Sequence, residues 1–231
     1  MEQIQTDQSP MPAGWIRNSN LAQAWLVLVL ALIFGASLAA VQVKLSPLIA
    51  ANKMNETIER VPELIWGAGK TGQAAVAPGK LEITPGTIKI DKNGATAFYT
   101  LFRVDAQGKP AGWVVKTIGQ GYGDRIELLL GLNPDQTAIT GLFILDQKET
   151  PGLGGNIVTP RWRKQFVGKA TGQPLKVIKG GTPAANTIDA ITGATISSRS
   201  VVGMINRTLG DLAGKLASPA VQFSKKVASH D

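Results

Sequence analysis

The chain has 231 residues, of which 44% are hydrophobic and 17% charged, a composition typical of a folded protein rather than a disordered one. It contains no cysteine and a single histidine, His230, which excludes disulfides, cysteine nucleophiles, iron–sulfur ligation and histidine-based catalysis. An electron carrier in such a chain has to be an organic group held by hydroxyls, backbone or aromatic side chains.

The net charge of +8 lies in the last third of the chain. Residues 45–155 carry 11 basic and 11 acidic side chains, whereas residues 156–231 carry 11 basic and only three acidic ones. A basic segment is typical of proteins that bind nucleic acid, anionic lipid or a phosphorylated cofactor, and a solvated surface with scattered lysines gives the same count.

Residues 21–43 predict a transmembrane helix, preceded by an N-terminal tail over residues 1–20. No residue from Asn18 to Val43 is charged. At about 1.5 Å per residue the segment spans about 35 Å, enough to cross the hydrocarbon of a bilayer. A cleaved signal peptide is the alternative, but its apolar region is usually shorter and its leading segment more basic, so we expect an uncut anchor. The flanking charges indicate no orientation.

A helical stalk and linker over residues 44–80 are expected after the span. Apolar residues recur at steps of three to four through residues 45–66, which predicts a helix, and the Gly- and Ala-rich residues 67–79 predict a flexible connection. The water-facing domain is expected to comprise residues 81–231.

Alternating patterns in this domain predict antiparallel strands. Two hairpins are expected, the first from residues 98–105 and 112–118 and the second from residues 124–132 and 137–146. A final helix is predicted from one apolar stripe, which comprises Val201 or Val202, Ile205, Leu209, Leu212 and Leu216. The predicted fold class is α+β, an N-terminal transmembrane helix followed by an antiparallel sheet with packed helices.

The segment Asp189-Ala-Ile-Thr-Gly-Ala-Thr195 stands directly before the final helix. Hydroxyls at this position commonly cap the first turn, and Thr195, Ser197 or Ser198 suits that role. Free N–H groups and the helix dipole also converge there, so a hydroxyl at this place is also well placed to hold a phosphoester. Both interpretations stay open on these residues alone.

A second candidate segment, residues 148–155, follows a predicted strand. Its proline and glycines allow the backbone to approach a flat aromatic ligand closely, although a turn without a ligand has the same composition. The segment lacks the glycine pattern of a P-loop or a dinucleotide-binding fingerprint.

Together, residues 189–202 (DAITGATISSRSVV), residues 148–154 (KETPGLG) and the turn Gly121-Tyr122-Gly123 resemble the FMN-binding domain of the G subunit of the Rnf electron-transport complex. The C subunit of the sodium-translocating NADH:quinone oxidoreductase is a close cousin of that protein. Many relatives have a histidine just before the KET stretch where this chain has Gln147, so the resemblance implies no proton-transfer role there.

The resemblance implies that FMN is bound covalently, through a phosphoester to Thr195 that a separate flavin transferase makes from FAD. It also implies two sets of supporting residues. The attachment motif is completed by Asp189, Thr192, Gly193 and Ala194, and the flavin ring is lined by Glu149, Thr150 and Leu153.

The resemblance further implies an electron-relay subunit of an ion-translocating complex, on the periplasmic side of a bacterial inner membrane. Its partners would be other membrane subunits with flavin and iron–sulfur centres. The chain shows no substrate-pocket signature or acid–base pair, so any catalytic activity belongs to the assembled complex. A cofactor-free assembly subunit is the alternative, whereas nucleic-acid binding is disfavoured because the basic residues are not clustered with aromatic ones.

Overall fold

The computed structural model describes residues 20–66, 81–92, 94–181, 184–224 and 227–228. The chain divides into two compact units, Met1–Met54 and Asn55–Asp231. Helix α1 (Asn20–Trp66) supplies residues to both units and runs without a break at the predicted junction between span and stalk. Most of the predicted N-terminal tail and the predicted linker lie outside the described residues.

In the first unit, α1 is apolar and exposed. Within the part of the chain that the structure describes, it is the one helix whose length and composition would allow it to cross a membrane. Its most apolar 18-residue window has no residue buried against the rest of the protein.

The second unit is built on an antiparallel sheet whose first five strands pair in chain order, each of the first four with the next. These strands are β1 (Leu81–Lys92), β2 (Ala95–Ala106), β3 (Lys109–Gln120), β4 (Arg125–Leu132) and β5 (Ile139–Asp146). The short strands β8 (Gln222–Phe223) and β9 (Val227–Ala228) pair with β1 on its other side. The two predicted hairpins, β2–β3 and β4–β5, are confirmed.

The remaining elements lie between β5 and β8. Two 3₁₀ turns, Gly154–Val158 and Lys164–Phe166, flank the single helical turn α2 (Pro160–Arg163). Strands β6 (Lys176–Ile178) and β7 (Thr187–Asp189) pair in parallel, and helix α3 (Thr195–Leu212) follows β7. The predicted final helix is confirmed, but Leu216 lies beyond its end, where it is buried in a turn.

The sheet is buried on both faces because successive residues of its central strands point to opposite sides. In β4, Leu128 and Leu130 belong to the core that includes the apolar face of α3, whereas Leu129 belongs to a second core with the end of α1. A Cβ atom at Gly131 would lie 2.6 Å from the carbonyl oxygen of Leu64, so glycine is what lets the end of α1 approach the sheet. The predicted α+β class, with helices on an antiparallel sheet, is confirmed.

Candidate functional site

Thr195 is the first residue of α3, and its hydroxyl does not cap the helix. Ala194 occupies the N-cap position with φ −135° and ψ 43°, and no side chain caps the first turn. The other candidate caps, Ser197 and Ser198, are buried and bonded elsewhere. Thr195 itself is half-buried. The capping interpretation is therefore wrong for this helix, and the start of α3 keeps its free N–H groups.

The turn before α3 is fixed by Ser198. Its hydroxyl donates a 3.0 Å hydrogen bond to the carbonyl oxygen of Ala194 and accepts a 3.1 Å bond from the N–H of Ile191. Gly193, inside this turn, has a φ of +79°, in the left-handed region that favours glycine. A Cβ there would lie 2.9 Å from Cδ2 of Leu153. The turn thus contacts the loop that carries Leu153.

A cavity of about 590 Å³ opens beside Thr195, a volume within the usual range for small-ligand sites. It is lined by Tyr122, Thr150, Leu153, Gly154, Lys179, Gly193, Ala194, Thr195, Ile196 and Ser197. Tyr122, Leu153 and Ile196 are 64%, 45% and 55% exposed. The cavity therefore has an open rim with apolar and aromatic surface, which suits a flat ring.

A smaller cavity of about 320 Å³ is also lined by Thr195. Its lining comprises Lys179, Gly180, Asp189, Ala190, Ile191, Thr192, Gly193 and Thr195. Thr195 and Lys179 line both cavities. Thr195 therefore borders open space that a lysine also borders.

Asp189 ends β7 and holds the loop that follows Lys179. Its Oδ1 accepts a 2.9 Å hydrogen bond from the N–H of Gly180. Its own N–H donates to Oε1 of Gln165 at 2.7 Å, and its carbonyl accepts the indole N–H of Trp162 at 3.0 Å. Asp189 is thus rigidly held and in turn positions Lys179 at the two cavities.

The loop after β5 places Thr150 and Leu153 at the larger cavity and Glu149 behind its wall. Glu149 is 5% exposed and is not one of the lining residues. Its carboxylate accepts hydrogen bonds from the N–H of Gly123, at 3.0 Å, and from the hydroxyl of Ser197. The structure thus directs Glu149 toward the protein, whereas the resemblance implied contact with the flavin ring.

An exposed ion pair closes the base of this loop. Nζ of Lys148 lies 3.3 Å from Oδ2 of Asp124. The N–H of Arg125, which donates to Asp124 at 2.7 Å, and then Lys148 hold the pKa of the Asp124 carboxyl below its ordinary value. Both side chains are solvent-accessible, so the pair contributes little to stability.

Lys179 and Tyr122 line the site although motif reasoning assigned neither to the cofactor. The excess of basic residues in the last third indicated that a basic side chain could lie at the site. It did not indicate which one, because several lysines and arginines lie in that third of the chain. Thr192, by contrast, was assigned and lies exposed at the smaller cavity. Among the residues described, none form a group of three or more His, Asp or Glu side chains suited to a metal ion.

Comparison with known families matches residues 121–210 to the FMN-binding domain family. This range contains the Gly121-Tyr122-Gly123 turn, the loop after β5 and nearly all of α3, so it includes every residue that lines the two cavities.

Three curated relatives are similar to this chain. The G subunit of the Na⁺-translocating ferredoxin:NAD⁺ oxidoreductase complex of Acetobacterium woodii is 39% identical over 106 residues, 45% of this chain and 50% of the relative. The C subunit of the Na⁺-translocating NADH-quinone reductase of Vibrio anguillarum is 37% identical over 106 residues, 43% of this chain and 42% of the relative. The G subunit of the ion-translocating oxidoreductase complex of Methanosarcina acetivorans is 36% identical over 124 residues, which cover 54% of this chain and 62% of the relative. The chain thus spans about half the length of the curated relatives it matches.

Two crystal structures share the fold. That of Shewanella oneidensis NqrC has a TM-score of 0.56 at 21% identity and covers 69% of this chain and 93% of its own. That of the C subunit of the Na⁺-translocating NADH-quinone reductase from Parabacteroides distasonis has a TM-score of 0.53 at 21% identity, with coverages of 71% and 92%. The resemblance predicted from the motifs is confirmed.

Proposed function

We propose that this domain, whose residues 121–210 match the FMN-binding domain family, holds FMN through a phosphoester to Thr195 and relays electrons in an ion-translocating membrane complex. The observation that carries the proposal is the position of Thr195, which does not cap the helix that it begins and which lines both cavities. The names of the relatives describe subunits of Na⁺-translocating or ion-translocating oxidoreductases, which supports the same role here.

The start of α3 supplies what a bound phosphate needs. Its first-turn N–H groups have no side-chain cap, and the positive end of the helix dipole lies at the same place. Lys179 adds a full positive charge beside both cavities. Because Ser198 fixes the turn before the helix, Thr195 is held in one position, and a tethered ring would stay at a set distance from its electron donor and acceptor.

The larger cavity suits the ring. FMN, when bound, supplies an isoalloxazine that accepts and gives up electrons, while the protein supplies position and field. Tyr122, Leu153 and Ile196 offer apolar surface at an open rim. A ring placed there would be packed on one side and accessible on the other, as exchange with a partner protein requires.

Attachment is a group transfer for which the flavin transferase and FAD are the co-reactants. The Thr195 oxygen forms a bond to the flavin-side phosphorus of FAD, the bond from that phosphorus to the bridging oxygen breaks, and AMP leaves. The hydroxyl proton passes to a base of the transferase. This chain contributes the Thr195 hydroxyl, which does not cap the helix. Lys179 lines the same cavities, and Asp189 and Gly193 support the surrounding turns.

We propose that α1 anchors the domain and that the domain faces the periplasm of a bacterial inner membrane. The uncharged residues 18–43 and the exposed apolar surface of α1 support the anchor. One span with one flavin cannot carry electrons across a bilayer, so partner subunits with their own flavin and iron–sulfur centres belong to the proposal.

The test is mass spectrometry of the chain purified from a host with an active flavin transferase. We expect FMN on the peptide that contains Thr195, fluorescence that stays with the chain in a denaturing gel, and loss of both in Thr195→Ala. Thr195→Ser should retain attachment, and Ser200→Ala, a hydroxyl variant of the same helix away from the cavities, should be fully flavinylated. A colourless wild-type chain, or FMN on another residue, would overturn the proposal in favour of a cofactor-free assembly subunit.

A further inference from the structure

The carboxylate of Glu149 joins three separate segments of the site. Oε1 accepts a 3.0 Å hydrogen bond from the N–H of Gly123, in the turn before β4. Oε2 accepts a short hydrogen bond from the hydroxyl of Ser197, two residues after Thr195 in the first turn of α3. Both oxygens of the carboxylate therefore act as acceptors.

The glycines around this carboxylate are spaced to admit it. A Cβ at Gly121 would lie 2.3 Å from Oε1 of Glu149. A Cβ at Gly154 would lie 2.8 Å from Oε2 and 2.6 Å from Oγ of Ser197. These contacts are far closer than packed atoms allow, so the turn and the loop are shaped around the buried charge. This accounts for two of the glycines in the motifs that flank the cavity.

The charge of Glu149 has no basic partner among the described residues. The neighbouring Lys148 is paired with Asp124 instead, at 3.3 Å. Glu149 is 5% exposed, and both Gly154 and Ser197, which contact it, line the larger cavity. A negative charge with little screening by solvent thus lies directly behind the wall of the proposed flavin site.

We propose that Glu149 is a positioning residue with a second, electrostatic effect. Its bond to Ser197 locks the turn that carries Thr195 against the loop of Thr150 and Leu153, and its buried charge lowers the midpoint potential of the flavin. This inference rests on the proposed function, since it concerns the same site. Adding electrons to a ring beside an unneutralised negative charge costs Coulomb energy, and that cost is what lowers the potential.

The electrostatic effect is tested by redox titration of the flavinylated full chain. Glu149→Gln keeps the size of the side chain and removes its charge, so we expect the midpoint potential to shift to more positive values. Asp211→Asn is the matched control, because Asp211 is also a buried carboxylate, but its partners Lys92 and Tyr99 do not line the larger cavity, whereas Ser197, the partner of Glu149, does. It should lower the melting temperature without moving the potential. A Glu149→Gln potential equal to that of the control would overturn this part of the proposal.

The positioning effect has its own readout. Ser197→Ala keeps the charge but removes the donor, so we expect faster local motion of the tethered flavin in time-resolved fluorescence anisotropy, without a positive shift of the potential. Unchanged anisotropy would refute the proposal that the hydrogen bond between Glu149 and Ser197 positions the flavin.

A double-mutant cycle of Glu149→Gln and Ser197→Ala by thermal unfolding needs no flavin. We expect the double variant to lose clearly less melting temperature than the sum of the two single variants. Additive losses would contradict a direct interaction between Glu149 and Ser197. If wild-type protein carried no FMN, the proposed function would fail while this cycle still decided whether Glu149 and Ser197 act together.

Discussion

The hydroxyl of Tyr99, on β2, donates a 2.8 Å hydrogen bond to Oδ2 of Asp211 near the C-terminal end of α3. The other oxygen of the same carboxylate, Oδ1, lies 2.8 Å from Nζ of Lys92 on β1. A second buried carboxylate, that of Glu149, binds Ser197 in the first turn of α3. The helix that begins at Thr195 is therefore fixed near each end by a different buried carboxylate. A tether on such a helix is held by the sheet as well as by its own turn.

Tyr99→Phe is predicted to destabilise the domain by about 1–2 kcal/mol, because it removes a buried hydrogen bond and leaves Asp211 with one fewer donor. Urea unfolding of the domain would measure the loss. Lys89→Gln is the control, since it breaks an exposed ion pair with Asp91 on the same sheet and should cost close to nothing. Equal stabilities for the two variants would contradict the role of the Tyr99–Asp211 bond.

The same pair predicts how stability depends on pH. Burial, and then the hydrogen bond to Asp211, raise the pKa of Tyr99 to about 12. A raised pKa means that the contribution of Tyr99 is fully present below the unfolded value of about 10 and is lost as the pH rises toward 12.

Asp211 determines how the stability of the domain depends on pH in the acid range. Burial alone would raise the pKa of Asp211, but the hydrogen bonds from Lys92 and Tyr99 outweigh it and the pKa is lowered. Its contribution to stability is therefore present above the unfolded pKa of about 3.9 and is lost as the pH falls through the lower folded pKa.

Thermal unfolding measured as a function of pH tests the contribution of Tyr99. The wild-type protein should lose stability between about pH 10 and 12, and Tyr99→Phe should not show this loss. An unchanged alkaline decline in that variant would sink the prediction.

Gly193→Ala is predicted to lower stability by about 1–2 kcal/mol from the left-handed φ of +79° alone, with a further loss from contact. The added Cβ would lie 2.9 Å from Cδ2 of Leu153, so that side chain must move away from the cavity. Gly152→Ala is a matched control, because its φ is +74° and a Cβ there meets nothing within 4 Å. Chemical denaturation and the extent of flavin attachment, compared for both variants, isolate the contact with Leu153. Identical behaviour would show that only backbone strain matters.

The strands and the start of the last helix could be predicted because they depend on local order. Asn133-Pro134-Asp135-Gln136 consists mostly of turn-forming residues, and in the structure Oδ1 of Asn133 accepts the N–H of Thr137 at 2.8 Å and that of Ala138 at 3.0 Å. The helix start at Thr195 is predictable for the same reason, since a small-residue turn adjoins it, whereas the role of Thr195 in attachment was implied only by the family resemblance.

The rest of the site depends on contacts between distant residues. Glu149 and Ser197 are 48 positions apart, so neither reveals from local sequence that it binds the other. Lys179 lines the same cavities as Thr195 because β6, which ends just before Lys179, pairs in parallel with β7. The packing of residues 55–66 on the sheet depends on the position of Gly131 opposite Leu64, which is known only once the register is set.

Lys179→Gln is predicted to slow flavin attachment roughly two- to fivefold, the equivalent of about 0.5–1 kcal/mol for an exposed charge beside a phosphate. The reason is that Lys179 lines both cavities at Thr195 and is held there by the hydrogen bond between Gly180 and Asp189. Gel fluorescence followed over time with limiting flavin transferase would measure the rate.

Lys176→Gln is the matched control for this variant. Lys176 is an exposed lysine at the start of β6, the strand that ends just before Lys179, and it lines neither cavity, so its loss should leave the rate of attachment unchanged. Because salt screens exposed charges, the difference between wild type and Lys179→Gln should shrink as ionic strength rises from 0.01 M, where the Debye length is about 30 Å, to 1 M, where it is about 3 Å. A difference that persists at high salt would mean that Lys179 acts by shape rather than by charge, and equal rates for the two variants would mean that it does not contact the incoming phosphate.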